Sequence, residues 1–174
     1  MNKISKLILF AFVQLVLFCM TSVKGSCQFK SVRVKITGLT CSLCSKGVES
    51  ALRKISFIES IDMDLNETTA VVHFNHKSPV DLEMVADKIE EGGFSVSRME
   101  AEYLINGGDI VSDSSITGKD HTLRILKNDK TKLQNLIKFQ VIGLKFMKKK
   151  DYELWKDRIK KDEISSSKIY YIVL

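Results

Sequence analysis

The chain has 174 residues, 44% of them hydrophobic and 28% charged, with a formal net charge of +6. That balance permits ordinary globular folding, with length for one medium domain or two small ones. Its cysteines, one of them inside an N-terminal apolar run, exclude a structural disulfide framework.

The first residues read as an export signal. Lys3 and Lys6 precede an apolar run from Leu7 to Met20 that is interrupted only by Gln14. This run, about 14 residues long, fits a signal-peptide core better than a membrane span of about 20. Val23-Lys24-Gly25 offers small residues for a signal peptidase, which predicts a signal peptide over 1–25, cleaved after Gly25. The alternative is an uncleaved anchor helix starting at Ile4. A lipid-modified Cys27 is disfavoured by Lys24, which stands where an apolar residue is wanted. The expected location is therefore exported, in a bacterial periplasm. Cleavage would remove Cys19 and leave Cys27, Cys41 and Cys44, an odd number that suggests a free or reactive thiol.

The charge then divides. Residues 26–102 hold 9 Lys or Arg against 12 Asp or Glu, and residues 103–174 hold 15 against 9. The shift predicts two units, 26–102 and 103–174, with a boundary near Glu102.

In the first unit, Phe29 to Thr37 alternates Val32, Val34 and Ile36 with Arg33, Lys35 and Thr37, the pattern of a half-buried strand. Gly38 punctuates it, and Thr40-Cys41-Ser42-Leu43-Cys44 follows. From Ser42 the period changes to that of a helix, with Val48, Leu52 and Ile55 on one face. Ile61, Met63 and Leu65 mark a second strand, Asn66-Glu67-Thr68 a turn, and Thr69 to Phe74 a third strand. Ser78 as cap and Pro79 at the first helical position predict a second helix. Its apolar face is Leu82, Val85, Ala86 and Ile89, and Gly92-Gly93 ends it. Phe94 and Val96 open a fourth strand. The order is βαββαβ, the ferredoxin-like split unit of the α+β class.

Two thiols at the start of a helix form a pincer for a soft metal ion. The N–H groups and partial positive charge at a helix N-terminus stabilise thiolate over thiol, and thiolate is the ligating form.

Gly38-Leu39-Thr40-Cys41-Ser42-Leu43-Cys44 resembles the G-M-x-C-x-x-C signature of heavy-metal-associated (HMA) domains. Glu91-Gly92-Gly93-Phe94 is similar to that family's later glycine-aromatic loop. The resemblance spans about residues 29–99 and includes copper chaperones, the N-terminal modules of metal-exporting P-type ATPases and periplasmic mercury-binding proteins. Leu39 stands where the family usually has Met. It can pack inward as that Met does, but it has no donor atom. The resemblance implies a metal site on Cys41 and Cys44, with Cys41 the more exposed thiol and Cys44 deeper. It also implies a partner protein that donates or accepts the metal through exchange of thiolate ligands.

Two thiolates suit Cu(I) first and Hg(II) second, whereas zinc usually wants four ligands. Zinc-preferring members of the family often carry Asp before the first Cys, and here that place holds Thr40. The topology predicts that Thr40–Cys44, Asn66–Thr68 and Gly92–Phe94 cluster at one end of the sheet. Phe94 is then either a shield for the thiols, a plain core aromatic, or both. His73 and His76 fall at the far end and His121 outside the unit, and all three read as solvated. Met63 reads as strand core. Cys27 precedes the first strand, roughly 30 Å from Cys41 along a straight strand. It reads as part of a disordered terminus, with a spare thiol, a dimerising disulfide and a donor between molecules as its other roles.

Outside the cytoplasm Cys41 and Cys44 can also oxidise to each other. This opens a second class of function, a thiol–disulfide oxidoreductase. No Trp precedes Cys41, no Pro lies between the cysteines, and Pro79, the one proline, opens a helix. Those absences argue against enzyme activity.

The second unit shows turns at Gly107-Gly108-Asp109 and Asp113-Ser114-Ser115, and strands over Thr122–Leu126, Leu136–Ile142 and Lys168–Leu174. A helix is expected over Asp151–Lys161, with Tyr152, Trp155 and Ile159 on one side. This predicts a small α+β module of no recognised fold. Lys148, Lys149 and Lys150 with Arg158, Lys160 and Lys161 form a basic patch, either a solvated face or a contact for anionic lipid or an acidic partner. Nucleic acid is not expected for an exported chain.

Overall fold

The computed structural model describes residues 29–75, 78–106, 109–112, 114–128, 134–159 and 167–174. The expected signal peptide, Cys19, Cys27, His76, Gly107, Gly108, Asp113, Lys160 and Lys161 lie outside these residues.

The first elements follow the expected order: β1 (Phe29–Thr37), α1 (Ser42–Leu52), β2 (Ile58–Asp64), β3 (Thr69–Phe74), α2 (Leu82–Glu91) and β4 (Ser95–Leu104). In β1, Val32, Val34 and Ile36 are buried while Arg33, Lys35 and Thr37 are exposed. The two-residue period of a strand places those two sets on opposite faces. Helix α1 buries Val48 and Leu52, and α2 buries Leu82, Val85, Ala86 and Ile89. Both helices join the core that the sheet buries. Each fully buried Leu, Ile or Val contributes roughly 1.5–3 kcal/mol by leaving water.

Helix α2 begins later than Ser78-Pro79 predicts. Its cap is Asp81, whose carboxylate accepts from the N–H groups of Glu83 at 3.0 Å and Met84 at 3.4 Å. The same carboxylate pairs with the Lys168 ammonium. Leu82, the first helical residue, donates its N–H to the Tyr170 hydroxyl at 3.1 Å. Three otherwise orphaned N–H groups thus find acceptors, two of them on Asp81, which Ser78 does not match. The helix ends as the glycines predict. Gly93 (φ +82°) donates to Glu90, and Phe94 donates to Ile89 at 3.2 Å, the paired bonds of a left-handed C-terminal cap.

The second half adds β5 (Ile110–Val111), β6 (Ser115–Thr117), β7 (His121–Lys127), β8 (Leu136–Ile142), α3 (Lys149–Tyr152), a 3-10 turn (Lys156–Arg158) and β9 (Lys168–Val173). These strands extend the first sheet. Among the described residues the order is β2-β3-β1-β4-β8-β9-β7-β6-β5, nine strands in one sheet. All neighbours are antiparallel except β7 and β9. Strand β4 runs through Glu102, the expected boundary, and pairs with β8 from Glu100↔Gln140 to Leu104↔Leu136. The core is continuous as well. Phe29, at the start of β1, lies 5.2 Å from the Tyr103 ring and 5.9 Å from the Tyr170 ring, centroid to centroid.

Two local expectations in this half fail. The helix over Asp151–Lys161 is replaced by α3 and the 3-10 turn. Lysines at the start of α3 oppose the helix dipole, and no side chain caps it. His121 is buried, not solvated. Its ring lies tilted 4.7 Å from that of Phe29 and edge-on 5.4 Å from that of Tyr103, centroid to centroid. Strand β7 begins one residue earlier than read, at His121, and alternation then carries His121 inward with Leu123.

Candidate metal centre

The site is built where β1 gives way to α1. Gly38 turns the chain at φ +91°, a left-handed conformation that side chains with a Cβ rarely adopt. Its carbonyl accepts from the Thr40 N–H at 2.9 Å. Leu39 is buried, as an inward-packing residue at that position should be. Cys41 is then the N-cap of α1 in extended backbone (φ −141°, ψ 156°). Its sulfur accepts from the Cys44 N–H at 3.1 Å, so the sulfur takes the place that the oxygen of Ser or Asp fills in most helices. Its carbonyl accepts from Ser45 N–H at 3.0 Å, the first bond of the helix.

Cys41 and Cys44 are joined as a disulfide, with Cα atoms 5.2 Å apart. Cys41 is exposed, whereas Cys44 is half-buried and packs against the core. The order of depth implied by the family resemblance is therefore present in the geometry. Leu43, between them, is 78% exposed.

The three loops do meet at one end of the sheet. Ile36 N–H donates to the Thr68 carbonyl at 2.9 Å, tying the β2–β3 hairpin to the exit of β1. Thr37 pairs with Ser95 at the start of β4. Phe94 wedges between the two glycine turns. A Cβ added to Gly38 would stand 3.5 Å from one edge of its ring, and one added to Gly92 would stand 3.3 Å from the other. Phe94 thus props the base of the cysteine loop, half-buried against the core, while Cys41 stays open to solvent.

Other candidate donors are elsewhere. His73 sits opposite Ser31, at the start of β1, and its Nε2 lies 3.2 Å from the Asp62 carboxylate, so it is paired and not merely solvated. Met63 is half-buried against the core. Among the described residues no group of three or more His, Cys, Asp or Glu is placed to hold a metal ion. The donor set on this loop is thus two sulfurs and nothing else that titrates as a ligand. Once reduced by two electrons and two protons, it offers two thiolates, which fit a soft ion that accepts low coordination.

The heavy-metal-associated domain model matches residues 33–95, from β1 to the start of β4. The copper chaperone CopZ of Staphylococcus epidermidis is 36% identical over 63 residues, 36% of this chain and 91% of the chaperone. A probable copper-exporting P-type ATPase of Archaeoglobus fulgidus is 33% identical over 63 residues, 36% of this chain but only 8% of the ATPase. Among solved structures, a CopZ metallochaperone aligns at 30% identity over 38% of this chain and 97% of its own, with a TM-score of 0.36. The chain belongs to the heavy-metal-associated domain family.

Proposed function

We propose that this protein binds a soft metal ion on Cys41 and Cys44, Cu(I) first and Hg(II) second, and passes it to a partner protein by exchange of thiolate ligands. The carrying observation is the sulfur pair at the N-cap of α1, one sulfur exposed and one half-buried, with no clustered third donor among the described residues. A two-coordinate ion leaves room for an incoming sulfur. A partner thiolate adds to the metal, the exposed Cys41 sulfur leaves, a second partner thiolate displaces Cys44, and the ion moves without changing oxidation state. Binding to the reduced pair releases thiol protons, so affinity rises with pH. The relatives' names, a copper chaperone and a copper-exporting ATPase, support copper as the cargo and a second metal-binding protein as the partner.

Export belongs to the same proposal. Lys3, Lys6 and the apolar run from Leu7 to Met20 support a signal peptide cleaved after Gly25 and a periplasmic location. Mass spectrometry of the secreted protein then begins at Ser26, and a retained Met1 contradicts cleavage. In an oxidising compartment the disulfide is the resting form, and a reductant must open it before metal binds.

The metal reading is tested by anaerobic competition against a Cu(I) chelator after reduction. The wild type withholds one equivalent of Cu(I), and the Cys41→Ser/Cys44→Ser variant withholds none. Equal retention by both contradicts it. One observation favours a second reading: the closed disulfide is the state from which a thiol–disulfide oxidoreductase would act. Insulin reduction driven by dithiothreitol separates the two, since steady turnover above the double-serine background belongs to the redox reading alone.

A further inference from the structure

We propose that the segment between β8 and the 3-10 turn, residues 143–159, is a peripheral docking surface for an anionic lipid bilayer. The segment is pinned from below. Phe146 and Met147 are buried, and the Phe146 ring lies 6.1 Å from Tyr170 in the shared core. Lys145 Nζ is 2.6 Å from the Asp87 carboxylate on α2. Around those anchors the outward side chains are of two kinds. Leu144 is 59% exposed and Leu154 is 77% exposed, single aliphatic side chains with no cover. Between them stand Lys148, Lys149 and Lys150, all exposed, and no ion pair among the described residues engages any of the three.

The segment's own charges leave this patch positive, while Asp87, Glu83 and Glu90 of α2 act on Lys145 at its edge. Glu153 is already engaged by Lys156 at 2.5 Å, leaving Asp151 and Asp157 as the remaining acidic groups of the segment. Arg158 lies over the Trp155 ring, 5.4 Å from its centroid. Trp155 is half-buried beside the exposed Leu154.

Lysines flanked by isolated exposed leucines and an amphipathic indole match the requirements of a lipid interface. The ammonium groups sit at the phosphates, the leucines enter the acyl boundary, and the indole spans the two. An acidic protein surface supplies the charge but no fluid apolar layer for separate, protruding leucines. The bilayer is therefore the occupant the chemistry selects. Its consequence for the rest of the molecule runs through α2. The helix that Lys145 grips at Asp87 ends at Gly92, about 7.5 Å further along its axis, beside the cysteine loop. Docking would hold that loop at a fixed attitude to the membrane.

The test needs no metal and so stands or falls apart from the metal reading. Trp155 is the only tryptophan in the chain, so its emission reports this segment alone. The full chain, with its disulfide closed, is titrated with vesicles of phosphatidylcholine, with and without 30 mol% phosphatidylglycerol (about one lipid in three, enough for a strong surface potential). The expected result is a shift of Trp155 emission to shorter wavelength, and quenching by brominated acyl chains, only with the anionic vesicles. Raising the salt should reverse both. Lys148→Ala/Lys149→Ala/Lys150→Ala, changes confined to exposed side chains, should bind about a hundredfold more weakly. Leu154→Ala should bind about tenfold more weakly. Vesicle association indifferent to lipid charge, with Trp155 unshifted, would assign binding to the apolar run at residues 7–20 and overturn the proposal. So would an unchanged triple variant, or a Trp155 shift with polyglutamate and none with vesicles.

Discussion

The cysteine loop and the aromatic junction around Phe29 are made of opposite contacts. At the loop, the hydrogen bonds that shape the site join residues two to four apart, from Gly38 to Ser45, and the reactive sulfur faces water. At the junction, Phe29, Tyr103, His121 and Tyr170 come from β1, β4, β7 and β9, and all four are buried. The first region presents its chemistry on a turn held by local bonds. The second packs both halves of the chain into one body around a shared core, and it has no surface on which to act. The difference separates what the protein does from what keeps it folded, and substitutions can test that separation.

The largest expected effect is at the junction. Phe29→Ala removes a fully buried ring and should cost about 3–5 kcal/mol, read as a lower urea midpoint. Cu(I) affinity of the protein that remains folded should not change. In reducing buffer Cys41→Ser should do the reverse, shifting stability by about 0.5 kcal/mol or less while removing the metal. A Phe29→Ala protein whose two halves melt separately would break the picture of one body.

Next comes pH. Burial pushes the His121 pKa down from 6.5 to about 4, against the upward pull of Asp120 and Asp109. The neutral ring is the form the core accepts, so its contribution is fully present above pH 6.5 and is lost as pH falls toward 4. The loss should reach about 3 kcal/mol, measured as the urea midpoint against pH. His121→Phe should flatten that part of the profile. Metal affinity also falls with acid, but through the thiols, and it should do so equally in His121→Phe.

The smallest effect sharpens the link between halves. Tyr170→Phe deletes the hydroxyl that serves Leu82 N–H and Asp81 at the start of α2. It should cost about 1–2 kcal/mol, with amide exchange rising first in the opening turn of α2.

The same division explains what the sequence made legible. The alternation of β1, the cysteine spacing, the glycine turns and the order of the first six elements are local patterns, and the structure repeats them. The relative depth of Cys41 and Cys44 followed from the family resemblance and is present too. The remainder depends on contacts distant in the chain. Asp81 outcompetes Ser78 as a cap because Lys168 and Tyr170, almost ninety residues on, converge on it. His121 reads as a surface histidine until β7 is seen to start one residue earlier. The change of charge near Glu102 is real, yet β4 passes straight through it, because the free edge of β4 is satisfied by β8 and charge composition carries no record of strand pairing. The helix read over Asp151–Lys161 rests on periodicity alone. The observed α3 starts earlier, at Lys149, and without a side-chain cap and with lysines at its positive end it lasts one turn.

X-ray absorption at the copper edge, on reduced protein loaded with one equivalent of Cu(I), tests the central claim most directly. Two sulfur scatterers and no nitrogen, oxygen or third sulfur neighbour is the predicted first shell. A shell with a light-atom ligand or three sulfurs from one chain, or copper lost on gel filtration as completely as from the double-serine variant, would contradict it.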